Sequence, residues 1–407
     1  MSSKSRLHSN IHRLILSQAL SKLGDNFTEV ALALFVLAIT HRNVAALGLV
    51  LAMAYVPRIA LGWAVAGVID RLPKRSTLLV SDIVRAVLVA SLPVVHSYVW
   101  TLIAVFLMYA FAMVYLPILR GVQPQIAGDP SINAQSAARQ ETYYAVADIG
   151  AYLAVAAILF IWGIAPAFWV DASTYLGAAL LISAIKVEKE IWIPGRSGAE
   201  NFWQQIADGF EYISQNSGAK QLIMVSVVIS LAVASLNTLL APLSRSIWHV
   251  SNNHYVWLVL AIALGNMVSG IIIERYRVLE RWGPRPLLVT GFLLTAIGFG
   301  IVILVHDWVI GAIGLGFAGA GNALYGFTIV VWLQNATTGA VRARVMAIRG
   351  IGIGLGGAIG AAGGGWLGRV AGLGSAVPVV VALWLLLAAW TLASRVLNIP
   401  LAEGTKA

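Results

Sequence analysis

The chain has 407 residues, of which 59% are hydrophobic and only 11% charged, and it contains no cysteine. Soluble proteins carry about 25% charged residues, so the composition excludes an ordinary soluble domain and indicates a polytopic membrane protein. Without cysteine, disulfides, thiolate metal sites and thiol nucleophiles are excluded. The formal net charge of +10 comes from basic residues spread over many short loops, which argues against a nucleic-acid-binding surface.

Apolar segments bounded by charged or turn-rich loops predict twelve transmembrane helices, since a helix needs about 20 apolar residues to cross a bilayer. We number these predicted spans 1 to 12 in chain order: 13–40, 45–69, 76–95, 99–126, 137–162, 165–187, 221–247, 254–276, 285–305, 308–335, 345–372 and 375–397. We expect no cleavable signal peptide, because a short basic stretch leads directly into a full-length apolar segment.

The loops between the spans differ in their basic content. One set carries most of the lysines and arginines, whereas the opposite set holds only Arg42, Arg245 and Arg369. The positive-inside rule therefore places both termini in the cytoplasm, with the chain in the inner (plasma) membrane of the cell. Tryptophans at the predicted outer ends form an aromatic belt that supports this orientation: Trp100, Trp162, Trp169, Trp248, Trp257 and Trp308.

The longest polar stretch, 188–220, divides the chain into an N-terminal six-helix half, 1–187, and a C-terminal half, 221–407. Within this linker Phe202, Ile206, Phe210 and Ile213 recur at helical spacing. They predict an amphipathic helix on the inner membrane face, with a disordered linker as the alternative. Each half has a charged loop after its second span, so the halves resemble the parallel repeats found in one class of transporter.

Several ionisable residues fall inside the predicted spans, where each costs roughly 2.5–3.5 kcal/mol on a mild insertion scale. Lys22, Asp25 and Glu29, spaced i, i+3 and i+7, share one face of span 1. Such groups are usually sheltered in the bundle interior and functional. We therefore expect a proton-binding carboxyl group among Asp25, Glu29, Asp148 and Glu141. Its charge partner in one conformational state is expected to be Lys22 or Arg58.

The alternative for these charges is a permanently paired network that only helps the bundle to assemble. We favour this structural interpretation for Asp171, which lies in the outer third of span 6.

Polar and aromatic residues at similar depth predict a substrate cavity that accepts an apolar or cationic small molecule. Its candidate lining residues are Tyr109, Tyr144, Asn237, Asn266, Asn322, Tyr325 and Trp332. For each of them alone, packing is the competing interpretation. His8 and His12 have a metal-like i, i+4 spacing but no further ligand nearby, so we expect neither a metal site nor a cofactor.

Span 11 carries an unbroken series of glycines at i+4 spacing: Gly352, Gly356, Gly360, Gly364, Gly368 and Gly372. Glycine costs up to about 1 kcal/mol relative to alanine inside a helix. The series therefore predicts a ridge of small residues against which a neighbouring backbone packs closely.

The loop after span 2 reads Gly67-Val-Ile-Asp70-Arg71-Leu-Pro-Lys74-Arg75 and is followed by Asp82 and Arg85. It resembles the loop 2–3 signature of the major facilitator superfamily, G-x-x-x-D-R-x-x-R-R, with Ala66 in place of the usual glycine. The resemblance implies a gate that latches onto the other half in the outward-facing state, formed by Asp70, Arg71, Lys74, Arg75, Asp82 and Arg85. It also implies that span 2 contacts the span 11 glycines. The alternative is a basic cytoplasmic loop with incidental ion pairs.

Other segments resemble the drug:proton antiporter branch of this superfamily, which includes macrolide and enterobactin exporters. They lie at 21–25, 117–124, 171–175, 206–212 and 342–345. Lysophospholipid transporters of the superfamily also carry a Gly-Asp-Asn like residues 24–26. Exporters usually have a Gly-Pro-rich motif in span 5, whereas the matching stretch here, 148–152, has no proline.

These features predict an all-α membrane protein of the major facilitator fold, with twelve transmembrane helices in two pseudo-symmetric halves. We expect a secondary transporter and not an enzyme. It would act by alternating access as a monomer in the lipid bilayer, exporting a hydrophobic or amphipathic small molecule in exchange for protons. Lipid translocation and proton-coupled solute uptake are the alternatives, and a non-transporting receptor fits the buried charges less well.

Overall fold

The computed structural model of the chain describes residues 3–62, 72–187, 189–193, 202–248, 252–337 and 339–394. Regular structure among these residues is entirely α-helical. The helices are α1 (Ser3–Ile39), α2 (Val44–Met53), α3 (Val56–Ala60), α4 (Lys74–Val95), α5 (Tyr98–Ala127), α6 (Pro130–Ile161), α7 (Ala165–Ser183), α8 (Lys189–Trp192), α9 (Phe202–Gln215), α10 (Ser217–Ile247), α11 (Asn252–Arg275), α12 (Val278–Arg281), α13 (Pro284–Leu304), α14 (Trp308–Asn335), α15 (Gly339–Val370) and α16 (Leu373–Ala393).

Within the described ranges, ten helices are long and apolar enough to cross a membrane, against the twelve spans predicted. The two remaining predicted spans correspond to α1 and to α2 with α3. Helix α1 has 37 residues, about 55 Å at ~1.5 Å per residue, but Lys22, Asp25 and Glu29 reduce its apolar character. The stretch Val44–Ala60 is apolar but shorter.

Local sequence explains where the helices begin and end. Side chains of Asn43, Ser97, Asn216 and Asp307 accept backbone hydrogen bonds at the starts of α2, α5, α10 and α14, the usual N-cap interaction. Asp129 with Pro130 starts α6 seven residues before the predicted boundary. The break between α2 and α3 immediately precedes Pro57, which cannot donate a backbone hydrogen bond.

The described helices form two compact units. Unit 1 comprises residues 1–41 and 56–199, in which α1 packs on α6 and α7, and α4 packs on α5 and α7. Its core is apolar where these helices meet, with Leu14, Leu78, Leu119, Val122 and Ile182 almost completely buried. This packing brings one face of α1 against α7, with Asp25 and Asp171 at that contact and Lys22 beside Asp148 of α6.

Unit 2 comprises residues 42–55 and 200–407. Its largest helix contacts pair α13 with α14, α10 with α15, and α11 with α14. Helix α2 packs on α15 and therefore belongs to this unit, although by chain order it lies in the N-terminal half. The compact units thus depart from the predicted division of the chain at this helix.

The glycine ridge of α15 contacts α10. A Cβ atom added to Gly352 would lie 2.8 Å from Cγ2 of Val227, and one added to Gly368 would lie 2.7 Å from Cδ2 of Leu239. Added Cβ atoms on the intervening ridge glycines, Gly356, Gly360 and Gly364, would likewise meet backbone atoms of α10. Span 2, expected as the partner of span 11, does pack on α15, but the ridge glycines themselves mainly meet span 7.

Span 2 instead packs on a second row of small residues of α15. A Cβ atom on Gly48 of α2 would lie 2.5 Å from the Ala361 carbonyl oxygen and 2.9 Å from Cα of Gly365. Tyr55 similarly abuts Gly357. Small residues on two adjacent faces therefore let α15 approach two helices closely. The i+4 spacing of the glycines predicted only the face that packs on α10.

The linker contains the predicted helix, α9, which packs on the start of α15. The carboxylate of Asp208 accepts a hydrogen bond from Arg344 at 2.7 Å, and the hydroxyl of Tyr212 donates to the Ala336 carbonyl at 2.5 Å. Ile213 is buried and Phe210 is 57% exposed. The side chains of Phe202 and Ile206 lie outside the described residues. Helix α9 is therefore part of unit 2.

Candidate functional site

The candidate site is built where α1 approaches α7 in unit 1. A Cβ atom on Gly24 would overlap Oγ1 of Thr174 and Oδ1 of Asp171. Only glycine therefore allows α1 to approach α7 this closely. The close approach places the charged face of α1, next to Gly24 in the sequence, beside the polar residues of α7.

Asp25 connects this buried region to the exposed surface of unit 1. Its carboxylate accepts a short hydrogen bond from the hydroxyl of Tyr175, and its Oδ1 lies 4.0 Å from Nη1 of Arg85. The Asp25 side chain is 47% exposed, whereas that of Arg85 is only 5% exposed. The Asp25 carboxyl group is thus partly exposed, and it also lies beside the buried cation Arg85.

Arg85 is held by aromatic rings and a second carboxylate. Its guanidinium carbon lies 4.3 Å from the ring centroid of Tyr175 and 4.8 Å from that of Tyr115, distances typical of cation–π contacts. Its Nη2 donates to Oδ1 of the fully buried Asp82 at 2.6 Å. A single guanidinium therefore lies between two carboxylates that differ greatly in exposure.

The hydrogen bonding of this cluster is incomplete among the described residues. Asp82 Oδ2, Arg85 Nε, the Tyr115 hydroxyl and the Ser21 hydroxyl are buried without a hydrogen-bond partner there. Buried polar groups are normally satisfied, and each exception costs about 1–3 kcal/mol. The cluster therefore has unused donors and acceptors with which it could form a second arrangement.

Asp171 adds a further buried carboxyl group to the site. It is completely buried, Thr28 donates a short hydrogen bond to its Oδ2, and the Thr174 hydroxyl lies 3.4 Å from its Oδ1. These contacts fit the structural role favoured from the sequence. Asp171 nevertheless faces the same helix contact as Asp25, so it belongs to the site.

Lys22 forms a separate ion pair with α6. Its Nζ lies 3.4 Å from Oδ1 of Asp148, which also accepts a hydrogen bond from the Asn26 amide at 2.6 Å. Both charged side chains are more than one-third exposed. The structure thus brings together two of the predicted residues, Lys22 and Asp148, as charge partners.

The remaining predicted charges of unit 1 stand apart from these pairs. Glu29, Glu141 and Arg58 are exposed, and none has an ion pair or hydrogen bond within the described ranges. Next to Glu141, Tyr144 joins Gln140 and Gln18 through hydrogen bonds of 2.8–2.9 Å. Arg58 is therefore not the cation beside Asp25 in this structure; that cation is Arg85.

The predicted cavity residues of unit 2 fall into two environments. Asn322 donates to Asn266 at 3.2 Å, and both are partly exposed, whereas Asn237 is exposed. Tyr325 and Trp332 are buried, and Tyr325 stacks on Trp384 with 5.2 Å between ring centroids. These two aromatic residues pack the interior of unit 2 and so fit the packing alternative. Tyr109, in unit 1, is 39% exposed.

Comparisons with known proteins agree with this architecture. The family model described as "Major Facilitator Superfamily" matches residues 222–406. The solved nucleoside transporter NupG has the same fold, with a TM-score of 0.78 at 12% identity over 96% of this chain and 99% of that one. The C-terminal part of the chain thus matches the Major Facilitator Superfamily model, and the chain as a whole shares its fold with a solved nucleoside transporter.

Two further proteins extend the comparison. A bacterial homolog of the human lysosomal transporter Spinster, solved inward-facing and unoccupied, has a TM-score of 0.78 at 15% identity, covering 97% of this chain and 98% of that one. Macrolide efflux protein A of Streptococcus pyogenes is 21% identical over 284 residues, 67% of each chain. The chain thus has a multi-pass helical fold shared with solved transporters, and it is distantly similar to an efflux protein.

The predicted loop 2–3 gate is only partly described. Asp70 and Arg71 lie outside the described residues. Lys74 donates to the Ile191 carbonyl at 3.2 Å, and Arg75 donates to the Ser183 carbonyl, both within unit 1.

The other two predicted gate residues, Asp82 and Arg85, are not in the loop. They lie roughly 12 and 16 Å along α4 from its first residue, at ~1.5 Å per residue, and form the buried cluster beside Asp25. Their assignment to the gate stays a prediction, and within unit 1 their side chains contact each other inside α4.

Sequence reasoning missed the residues that complete the buried cluster of unit 1: Tyr115, Tyr175, Thr28 and Thr174. One signal was available, because Asp171 and Tyr175 are spaced i, i+4 and share one face of an otherwise apolar helix. No comparable pattern marks Tyr115, whose position over Arg85 depends on how α4 and α5 pack.

Proposed function

We propose that this transporter exports a hydrophobic or amphipathic small molecule in exchange for protons, by alternating access. It would act as a monomer in the plasma membrane with both termini in the cytoplasm. Proton coupling is supported by one observation above all: the half-exposed Asp25 carboxylate contacts the buried Tyr175 and Arg85. The distant similarity to Macrolide efflux protein A supports export.

Proton binding to Asp25 would change the forces on Arg85. Charges 4.0 Å apart attract by about 4 kcal/mol at an effective dielectric constant of ~20 and by about 1 kcal/mol in water. Because Asp25 is 47% exposed, the attraction lies between these limits. Protonated Asp25 loses this attraction, and Arg85 keeps Asp82 as its carboxylate partner. The contact of α1 with α4 is then weaker, which would favour a different arrangement of these helices.

The Lys22–Asp148 pair supplies a second place for proton binding. Protonation of Asp148 would remove its attraction to Lys22 and free α1 from α6, as protonation of Asp25 frees it from α4. Glu29 lies one helical turn beyond Asp25 and is exposed, so it is suited to deliver protons to this face of α1. Unit 1 thus holds two carboxyl groups on one face of α1, Asp25 and Glu29, and a third, Asp148, on α6 beside that face.

Transport into proteoliposomes with an imposed pH gradient tests this proposal, with one cationic probe substrate, ethidium, and one anionic probe substrate, octyl phosphate. Asp25→Asn and Glu29→Gln are each expected to leave folding intact, and at least one is expected to abolish the dependence of transport on the gradient. The matched control is Glu280→Gln, an exposed carboxylate paired with Arg277 outside the predicted spans. Wild-type rates and pH dependence in both α1 variants would contradict the role of α1 in proton coupling.

Proton-coupled uptake is a second candidate, favoured by the form of α6. This helix runs without interruption from Pro130 to Ile161 and has no proline after its first turn, unlike the Gly-Pro-rich span 5 of exporters. One solved structure of the same fold is a nucleoside transporter. Uptake of labelled uridine into right-side-out vesicles, driven by an inward proton gradient, would favour this candidate over export.

A further inference from the structure

Unit 2 carries one charged residue in an unusual position. Several described helices of unit 2 are long and apolar enough to cross a membrane. Apart from one arginine, the charged residues in these helices lie within six residues of a helix end. Arg349 is the exception, because it is the eleventh residue of α15, about 15 Å from its start at ~1.5 Å per residue. The candidate span within α15 begins at Arg344, so Arg349 lies inside it, about 8 Å from its first residue at ~1.5 Å per residue. A charge inside a span is a functional-site hypothesis by default.

Arg349 has a neutral partner and no carboxylate partner among the described residues. Its Nε donates to the hydroxyl of Ser226 on α10 at 3.0 Å. The Ser226 hydroxyl in turn donates to the Leu222 carbonyl at 2.8 Å, so its remaining capacity is to accept. Asp208 of α9, which packs on the start of α15, is bound to Arg344 at 2.7 Å. The positive charge of Arg349 is therefore uncompensated within the described part of the chain.

The bond to Ser226 fixes the guanidinium and leaves its terminal amino groups available. Ser226 is 3% exposed, and the neighbouring Gly352 and Gly356 hold α15 tightly against α10. Arg349 itself is partly exposed. A guanidinium presents two parallel N–H groups that match a carboxylate or a phosphate. The arrangement is thus a pre-oriented anion-binding group rather than one half of an internal ion pair.

We propose that Arg349, oriented by Ser226, binds an anionic group of the transported molecule, either a carboxylate or a phosphate. The substrate would then be an acidic amphiphile rather than a cationic one. This inference rests on the proposed transport function, but it is independent of proton coupling. The titratable carboxylates of the candidate site belong to unit 1, whereas the anion-binding cation belongs to unit 2.

Matched single-chain amphiphiles test the inference. The purified full chain in phosphatidylcholine nanodiscs is titrated with octanoate, octyl phosphate, octyltrimethylammonium and octanol, and binding is followed by tryptophan fluorescence and thermal stabilisation. The wild type is expected to bind one of the two anions more tightly than the cation and the alcohol. Arg349→Gln is expected to weaken anion binding roughly ten- to hundredfold, as expected for hydrogen bonds to a charged group.

Three further variants separate recognition from folding. Arg349→Lys keeps the charge but loses the paired N–H groups, so an intermediate loss is expected. Ser226→Ala removes the orienting acceptor and is expected to weaken anion binding several-fold with little effect on octanol. Arg369→Gln, an exposed arginine near the other end of α15, is the matched control and should bind as the wild type does.

Several results would overturn the inference. They are equal binding of anions by the wild type and Arg349→Gln, tighter binding of the cation, or no binding of any octyl compound by the wild type. The inference also fails if phosphatidylglycerol in the nanodisc gives the whole Arg349-dependent stabilisation and octyl phosphate does not compete, because Arg349 would then be a bilayer anchor. Loss of proton coupling in Asp25 variants with intact anion selectivity would leave the inference standing.

Discussion

Replacing Gly360 with alanine tests the close packing of α15 on α10. The added Cβ atom would overlap the carbonyl group of Leu231 and lie 2.7 Å from its Cα. These are backbone atoms, so no flexible side chain can move aside. The two helices must separate, and separation weakens the hydrogen bond from the Ser235 hydroxyl to the Gly360 carbonyl, which measures 2.8 Å.

The expected cost follows from these contacts. Overpacking a well-filled interface costs about 1–3 kcal/mol, and losing a net hydrogen bond costs about 0.5–1.5 kcal/mol. Alanine recovers up to about 1 kcal/mol of helix propensity. Gly360→Ala is therefore expected to lower the free energy of unfolding by about 1–3 kcal/mol, and Gly360→Leu by more.

Gly363 provides the matched control, because a Cβ atom on it would meet no atom within 4 Å. Gly363→Ala is expected to be neutral or stabilising by up to about 1 kcal/mol. Reversible unfolding of both variants in mixed micelles of dodecyl maltoside and SDS measures the difference, and transport by Gly360→Leu is expected to be impaired. Equal stability of the two alanine variants, or wild-type transport by Gly360→Leu, would refute the packing argument.

Three further predictions concern other contacts. Trp384→Ala is expected to destabilise unit 2 by about 3–5 kcal/mol, since this side chain is completely buried; a loss below about 1 kcal/mol in SDS unfolding would contradict this. A double-mutant cycle with Lys22→Gln and Asp148→Asn, measured on the free energy of unfolding, should give an interaction energy of at most about 1 kcal/mol, because both side chains are partly exposed. A larger interaction energy would contradict this, because it would mean that the pair is shielded from solvent. Asp208→Asn should loosen α9 from Arg344 and speed its proteolysis, whereas unchanged cleavage would mean that the helix is held by its apolar contacts.

Much of the fold could be predicted from the sequence because bilayer-spanning helices are long and uniformly apolar. Helix α5, for example, begins and ends within one residue of its predicted span, because Ser97 caps its start and Gly128 ends it in the left-handed region. Helix boundaries that depend on a proline were predicted less well. The break before Pro57 divides predicted span 2, and the early start of α6 depends on the Asp129–Pro130 pair.

The candidate site was predicted less well than the fold. Periodicity placed Lys22, Asp25 and Glu29 on one face of α1, but it carries no information about which helix that face meets. Arg85 was read as part of a loop motif, whereas its position inside α4 makes it the cation beside Asp25. Arg58 lies in an apolar stretch and looked equally suitable, so only tertiary packing could decide between them.

Helix α2 has a consequence for experiments with separated fragments. It follows α1 in the chain, yet its Gly48 packs on Ala361 and Gly365 of α15. A polypeptide ending near the linker would therefore carry a helix whose binding partner is on the other fragment. The C-terminal fragment would expose the small residues of α15 that α2 covers in the intact chain. Co-expressed fragments should consequently recognise each other through this exchanged helix, and deleting residues 44–53 from the first fragment should abolish their co-purification.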